Sequence, residues 1–103
     1  MASIPVVPGW AEEQLDLFLD QHLRVRGLSP HTHDAYRRDV SAFLDFCDRL
    51  GLERLEAIDR RVVRRWVANL DTRGYARTSI ARKVSTVRSF FDFCVKRAIL
   101  DAN

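Results

Sequence analysis

Hydroxyl and basic side chains recur at helical spacing in one segment of the sequence, at Ser79, Arg82, Lys83 and Thr86. Small and hydroxyl side chains let a helix approach a phosphate backbone closely, while Arg and Lys reach phosphates and base edges. A solvated helix face normally mixes Glu with Lys, but this band contains no carboxylate. The band therefore favours a surface that contacts nucleic acid.

A second band of the same kind occurs earlier in the chain, at His31, Ala35, Arg38 and Ala42. The two segments align when the sequence is shifted by 47 residues, and five of nineteen positions are then identical. His31 and Thr32 in one segment, and Thr78 and Ser79 in the other, also fall in the first turn of a predicted helix. The free N–H groups of such a turn attract phosphate, so we expect the two segments to contact DNA together.

The sequence contains no arrangement that predicts catalysis or a cofactor. No Ser/His/Asp set, carboxylate pair or Gly-rich phosphate loop occurs at useful spacing, so we expect a binding module and no cofactor. His31 and His33 lie two residues apart and would not face each other on a helix, which argues against a metal site. Cys47 and Cys94 fall on apolar stripes, where free cysteines behave as small hydrophobic side chains.

Four helices and no strand are predicted to position these residues. The first runs from about Trp10 to Arg26, and the second begins at Ser29-Pro30 and stops at Gly51. Asp59 is expected to cap the third helix, which Gly74 ends, and the fourth runs from about Arg77 to Ala98. The predicted fold class is a compact all-α bundle of four helices, with a fifth short turn as an option at the end.

Each predicted helix has an apolar stripe for the core. The stripes comprise Leu15, Phe18, Leu19 and Leu23; Tyr36, Val40, Phe43, Cys47 and Leu50; Val62, Val63, Trp66, Val67 and Leu70; and Ile80, Val84, Val87, Phe91 and Cys94. In the connector from Leu52 to Ile58, Leu55 and Ile58 are predicted to anchor the chain to this core.

Charge is distributed unevenly along the 103 residues. Residues 1–58 carry six Lys/Arg and ten Asp/Glu, whereas residues 59–103 carry eleven and four, so the net charges are −4 and +7. This asymmetry suggests a surface for a polyanion, although a solvated basic surface would show it too. No stretch approaches the roughly 18 apolar residues of a membrane span. The N-terminus lacks a signal-peptide pattern, so we expect a cytoplasmic protein without membrane contact.

Two segments resemble motifs of the Xer-type tyrosine recombinases. They are residues 27–40, with Gly27-Leu28-Ser29-Pro30-His31-Thr32 and Ala35-Tyr36-Arg37-Arg38-Asp39-Val40, and residues 77–91, beginning Arg77-Thr78-Ser79-Ile80. The resemblance covers residues 12–103 and implies a SAM-like core-binding domain of four to five helices at residues 10–100. It further implies a flexible segment at residues 1–9 and the start of an inter-domain linker at residues 101–103. His33 stands where the motif has an apolar residue, which raises a question about local packing.

The resemblance also implies which residues would contact DNA. They are His31, Thr32 and Arg38 on the second helix, Ser79, Arg82, Lys83 and Thr86 on the fourth, and Arg77 and Arg88 as phosphate contacts.

The family exchanges DNA strands through a covalent tyrosine–phosphate intermediate, with its catalytic residues in a separate C-terminal domain. The resemblance therefore implies that this chain is a non-catalytic part of such an enzyme. Its partners would be a double-stranded recombination site, its own catalytic domain and sister protomers in a tetrameric synaptic complex. The motifs resemble XerC more than XerD, and the implied role is chromosome-dimer resolution before cell division.

Three other interpretations remain open from the residues. The chain could be an integrase domain of a mobile element, a free-standing DNA-binding regulator, or a helical protein-interaction module that is basic in its second half. The interaction module predicts no binding to duplex DNA at physiological salt, and this separates it from the other interpretations.

Overall fold

The computed structural model describes residues 7–97, and in this range the chain forms four α-helices and no strand. The helices are α1 (Gly9–Leu17), α2 (Pro30–Arg49), α3 (Arg60–Thr72) and α4 (Arg77–Lys96). The predicted all-α bundle is thereby confirmed. Residues 1–6 of the predicted flexible segment, the optional fifth turn and the linker start at residues 101–103 lie outside the described residues.

Helix ends coincide with the capping residues that the sequence predicts. Ser29 Oγ accepts a hydrogen bond from the Thr32 backbone N–H at 3.3 Å. Asp59 Oδ1 accepts from the backbone N–H groups of Arg61 and Val62 at 3.0 and 3.1 Å. Gly27, Gly51 and Gly74, which follow the first three helical segments, have φ angles of 65°, 92° and 87°. Such positive angles suit glycine and stop a helix.

The first helical segment contains a π-helical stretch that the sequence does not predict. α1 runs directly into π-helical turns at Phe18–Leu23. The ring Nε2 of His33, on α2, lies 2.6 Å from the Leu19 carbonyl oxygen in these turns. Because a carbonyl oxygen only accepts, His33 donates this hydrogen bond. Position 33 thus connects two helices through a polar contact where an apolar residue was expected.

Aromatic rings join the helices in the core. Phe18 packs edge-on against Phe90 and Phe93, with ring centroids 5.5 Å apart in each pair. Phe43 on α2 packs against Trp66 on α3 and Phe91 on α4, at 4.9 and 6.1 Å. The short 3₁₀ turn Leu55–Ala57 buries Leu55, and Ile58 packs against the core, so both predicted anchors are confirmed.

Burial differs in detail from the predicted stripes. Four predicted residues of the first helical segment are fully buried, as are Val40, Phe43, Cys47, Trp66, Leu70, Val87 and Cys94. The others are half-buried: Tyr36, Leu50, Val62, Val63, Val67, Ile80, Val84 and Phe91. Phe90 and Phe93 are buried although they lie beside the predicted stripe. Phe18 contacts both rings, so the buried side of α4 is wider than a single stripe.

Candidate nucleic-acid interface

A buried carboxylate connects α2 to the basic band of α4. Asp39 is only 1% exposed. Its Oδ2 accepts a hydrogen bond from Arg82 Nη1 at 2.5 Å, and its Oδ1 accepts one from Lys83 Nζ at 3.1 Å. A buried carboxylate needs paired cations to offset its lost hydration. Asp39 therefore fixes the positions of two residues of the predicted site.

Lys83 is directed into the protein. Its side chain is 13% exposed. Besides the bond to Asp39, its Nζ lies 5.1 Å from the ring centroid of Tyr75, in the turn between α3 and α4. The guanidinium carbon of Arg73 lies 5.4 Å from the same ring. These ion-pair and cation–π contacts hold Lys83 within the fold.

Arg82 differs from Lys83 because its side chain is 53% exposed. A guanidinium group has five N–H donors. In Arg82 one nitrogen of this group, Nη1, donates to Asp39. Arg82 therefore combines an oriented side chain with donors that remain accessible. This combination suits a contact to a phosphate group.

Thr86 lies beneath the surface of this band. It is 3% exposed, and its Oγ1 donates a hydrogen bond to the Arg82 carbonyl oxygen at 3.0 Å. Its side chain supports the local packing of α4 and is not presented to a ligand in this conformation. The predicted contact from Thr86 to DNA has no exposed group to make it.

The remaining predicted residues lie at or near the surface. His31, Arg38, Arg77 and Arg88 are exposed, whereas Thr32 and Ser79 are half-buried. Among residues 7–97, the side chains of these four exposed residues have no hydrogen-bond or ion-pair partner. They are available to an external ligand. Thr32 is engaged locally, because its Oγ1 lies 3.1 Å from Ser29 Oγ.

Sequence reasoning did not identify Asp39 or Tyr75 as part of this site. A signal for Asp39 was present: it lies three residues after Tyr36 and four before Phe43, which places a carboxylate on the apolar side of α2. Charged residues are rarely buried without a partner, so this position predicts a cation from another helix. Nothing in the local sequence indicates that Tyr75 packs against Lys83, because that contact depends on the turn geometry.

The two cysteines do not form a reactive or metal-binding centre in the described part of the chain. Cys47 and Cys94 are free and fully buried, as predicted. Burial raises the pKa of each thiol from 9.0 to about 12, although a backbone hydrogen bond partly opposes the effect at Cys47. Between residues 7 and 97, no three His, Cys, Asp or Glu side chains are grouped so that they could hold a metal ion. None of the helices in this range is long and apolar enough to cross a membrane.

The geometry defines a class of protein. It is a compact bundle of four helices with basic side chains on two of them, α2 and α4. Residues 15–98 match the family described as phage integrase, N-terminal SAM-like domain. The chain belongs to this family, which is the N-terminal domain family of tyrosine recombinases.

Curated relatives carry the names of both Xer recombinases. Tyrosine recombinase XerD of Bradyrhizobium diazoefficiens is 40% identical over 83 residues, which cover 81% of this chain and 26% of the relative. Tyrosine recombinase XerC of Azotobacter vinelandii is 36% identical over 85 residues, or 82% of this chain and 28% of the relative. Tyrosine recombinase XerD of Staphylococcus aureus is 31% identical over 86 residues, which cover 80% of this chain and 29% of the relative.

The chain thus spans between a quarter and a third of the length of these relatives. The identities to XerD and XerC are similar, so they do not separate the two types. No solved structure matches the chain.

Proposed function

We propose that this chain is the DNA-binding N-terminal domain of a site-specific tyrosine recombinase. It contacts a double-stranded recombination site through the basic band of α4 and the neighbouring side of α2. The observation that carries this proposal is the pairing of Arg82 with buried Asp39. A half-exposed guanidinium is held in place by the fold while donors remain accessible.

Asp39 would favour DNA binding by Arg82, because it orders the Arg82 side chain before a ligand arrives. Immobilising a long side chain on binding costs about 0.5–1.5 kcal/mol. Arg38, Arg77 and Arg88 would add mobile phosphate contacts around this fixed arginine. His31, Thr32 and Ser79 lie in the first turns of α2 and α4, where backbone N–H groups favour phosphate. Lys83 and Thr86 are nearly buried and would pack behind the interface. The proposed DNA contacts therefore do not include these two of the residues predicted from the sequence.

The whole recombinase would add functions that this domain lacks. A separate catalytic domain would carry the nucleophilic tyrosine for strand exchange, and sister protomers would assemble with this one on the DNA as a tetramer. We propose chromosome-dimer resolution before cell division, in the cytoplasm, as the role of that enzyme. Integration of a mobile element would use the same domain chemistry.

A titration of the domain into a labelled duplex of about 30 base pairs tests the DNA contact. The duplex carries a candidate half-site, with a scrambled duplex alongside, and the salt concentration is varied. Each phosphate contact contributes a slope of about −0.9 to the log–log salt dependence, so four to eight contacts give roughly −4 to −7. Preference for the half-site would indicate sequence readout. Absence of binding at low salt would contradict the proposal and favour a protein-interaction module.

Two charge-matched variants locate the contact on α4. Arg82→Gln should weaken binding about tenfold and make the salt slope less steep by about 0.9, because one phosphate contact is lost. Arg24→Gln removes the same charge from an exposed pair with Asp20 and should leave binding unchanged. Equal losses in the two variants would show a bulk-charge effect and would contradict the placement of Arg82 on the DNA.

A further inference from the structure

Four arginines on the outer side of α3 are not part of the interface described above. Arg60, Arg61, Arg64 and Arg65 are all exposed. None of their side chains forms a hydrogen bond or ion pair with another residue of the described range 7–97. We refer to these four residues as the arginine face.

The arginine face is electrostatically unfavourable for the isolated domain. Arg60 with Arg64, and Arg61 with Arg65, form like-charge pairs at i,i+4 spacing, which destabilise a helix. The face also occupies the N-terminal half of α3, where the helix dipole disfavours cations. No carboxylate alternates with the arginines in this half of the helix. Within residues 7–97 the nearest carboxylate in the sequence is the capping Asp59, which bonds backbone N–H groups and pairs with none of the four arginines. An external polyanion is therefore the ligand that would offset the repulsion among them.

The position of α3 separates this face from Arg82. Trp66 follows Arg64 by two residues and is buried on the opposite side of α3, where it packs against Phe43. Phe43 in turn contacts Phe91 of α4. Phe91 lies nine residues beyond Arg82, which is about 14 Å along the helix at 1.5 Å per residue. The arginine face could therefore reach phosphates that Arg82 does not contact.

We propose that the arginine face is a second phosphate-binding surface for duplex DNA, beside the interface of α2 and α4. This inference rests on the proposed function. All four positions are arginine, whose planar fork pairs with phosphate through two parallel hydrogen bonds. Duplex DNA presents about one negative charge per 1.7 Å of axis, so a dense row of cations finds a counter-charge for each member.

A second copy of the chain is a weaker candidate for the occupant. The acidic side of its first helical segment carries Glu12, Glu13, Asp16 and Asp20, which are exposed. Asp16 already pairs with Arg37 at 3.8 Å, and Asp20 pairs with Arg24. Only two of the four carboxylates are unpaired within the described residues, so this surface matches four arginines poorly.

The double variant Arg60→Gln/Arg64→Gln tests the inference in the duplex titration. Loss of two phosphate contacts should make the salt slope less steep by about 1.8 and weaken binding at least tenfold. The control Arg24→Gln/Arg37→Gln also removes two positive charges, but from residues paired with Asp20 and Asp16. We expect its slope to equal that of the unchanged domain. Thermal unfolding should show the arginine-face variant at least as stable as the parent, because like-charge repulsion is removed.

Three results would overturn the inference, and they are distinguishable. If the parent binds and the arginine-face variant matches the control, the face does not contact DNA, while the proposed function stands. If the parent does not bind duplex DNA at low salt, the proposed function fails as well. If sedimentation shows a dimer that the arginine-face variant abolishes while DNA binding is unchanged, the occupant is a second copy of the chain.

Discussion

At the scale of single residues, the carboxylate of Asp39 loses its hydration when α2 packs against α4. Two cations compensate it, and they are not equivalent, because Lys83 is nearly buried while Arg82 is half exposed. The charge of Lys83 is largely shielded from water and therefore depends on Asp39 for its stabilisation, whereas the charge of Arg82 can also be hydrated. The same carboxylate thus stabilises the fold through one partner and orients a proposed DNA contact through the other.

Replacement Asp39→Asn should lower the free energy of unfolding by about 3 kcal/mol, because Lys83 would retain a nearly buried charge without its anion. Urea denaturation of the domain measures the change. The control Asp20→Asn breaks an exposed pair with Arg24 and should cost less than about 1 kcal/mol. Equal and small costs in the two variants would show that Lys83 finds hydration or another partner.

Burial of the two thiols predicts a loss of stability at alkaline pH. Below about pH 9 both thiols are protonated in the folded and the unfolded chain, so they add no pH dependence. Above the ordinary pKa of 9.0 the unfolded chain ionises, while the folded chain resists up to a pKa of about 12. The free energy of unfolding should therefore fall by about 1.4 kcal/mol per pH unit for each thiol in this window.

Urea titrations at pH 8 and pH 10 measure this effect. The double variant Cys47→Ala/Cys94→Ala serves as the comparison, because it isolates the contribution of the two thiols. The variant is less stable at pH 8 because two side chains leave cavities, but its stability should decline less between the two pH values. A parallel decline in both proteins would show that the thiols ionise equally well when folded.

At the scale of elements, local chemistry predicts where helices begin and end. Ser29 and Asp59 make capping bonds that depend only on neighbouring residues, and three glycines adopt positive φ where the helices stop. The π-helical turns at Phe18–Leu23 are different, because the donor to the Leu19 carbonyl comes from α2. An interaction between residues fourteen positions apart leaves no periodic signal in either segment.

For the candidate site too, the sequence predicts the features that depend on neighbouring residues and does not predict the contacts between helices. Helical spacing placed Arg82, Lys83 and Thr86 in one band, and they do lie together on α4. Spacing does not report which of them packs against another element. Lys83 and Thr86 are covered, while Arg82 stays accessible. For Lys83 the difference comes from its contacts with Asp39 on α2 and with Tyr75 in the turn before α4.

The start of α4 lacks the side-chain cap that α2 and α3 have. Ala76 occupies the cap position in an extended conformation, and no side chain accepts a hydrogen bond from the first turn. Ala76→Ser would supply an acceptor and should raise the free energy of unfolding by about 1 kcal/mol. Ala81→Ser, an exposed position inside the same helix, should instead lower it by about 0.5 kcal/mol. Urea denaturation of the two variants tests the opposite signs, and equal signs would contradict the cap assignment.

At the scale of the whole molecule, charge separates along the chain and on the surface. The exposed carboxylates of the first helical segment are partly neutralised by Arg24 and Arg37. The exposed arginines of α3 have no such partners in the described residues, and on α4 the same is true of Arg77 and Arg88. Internal pairing therefore reduces the acidic surface of the first helical segment but leaves these six arginines of α3 and α4 without a partner in the described residues, which favours an anionic ligand.

A ligand that binds only the folded domain must stabilise it, so duplex DNA should raise the thermal midpoint. At a free duplex concentration about 100 times the Kd, the linkage amounts to about 2.7 kcal/mol, or on the order of 10 °C for a domain of this size. The shift should vanish near 1 M salt, because released counterions then oppose binding. Polyglutamate at the same total concentration of negative charge serves as the control anion. A polyglutamate shift equal to that of DNA would show that negative charge alone is recognised, whereas a larger shift with DNA would support contacts to the duplex phosphate backbone.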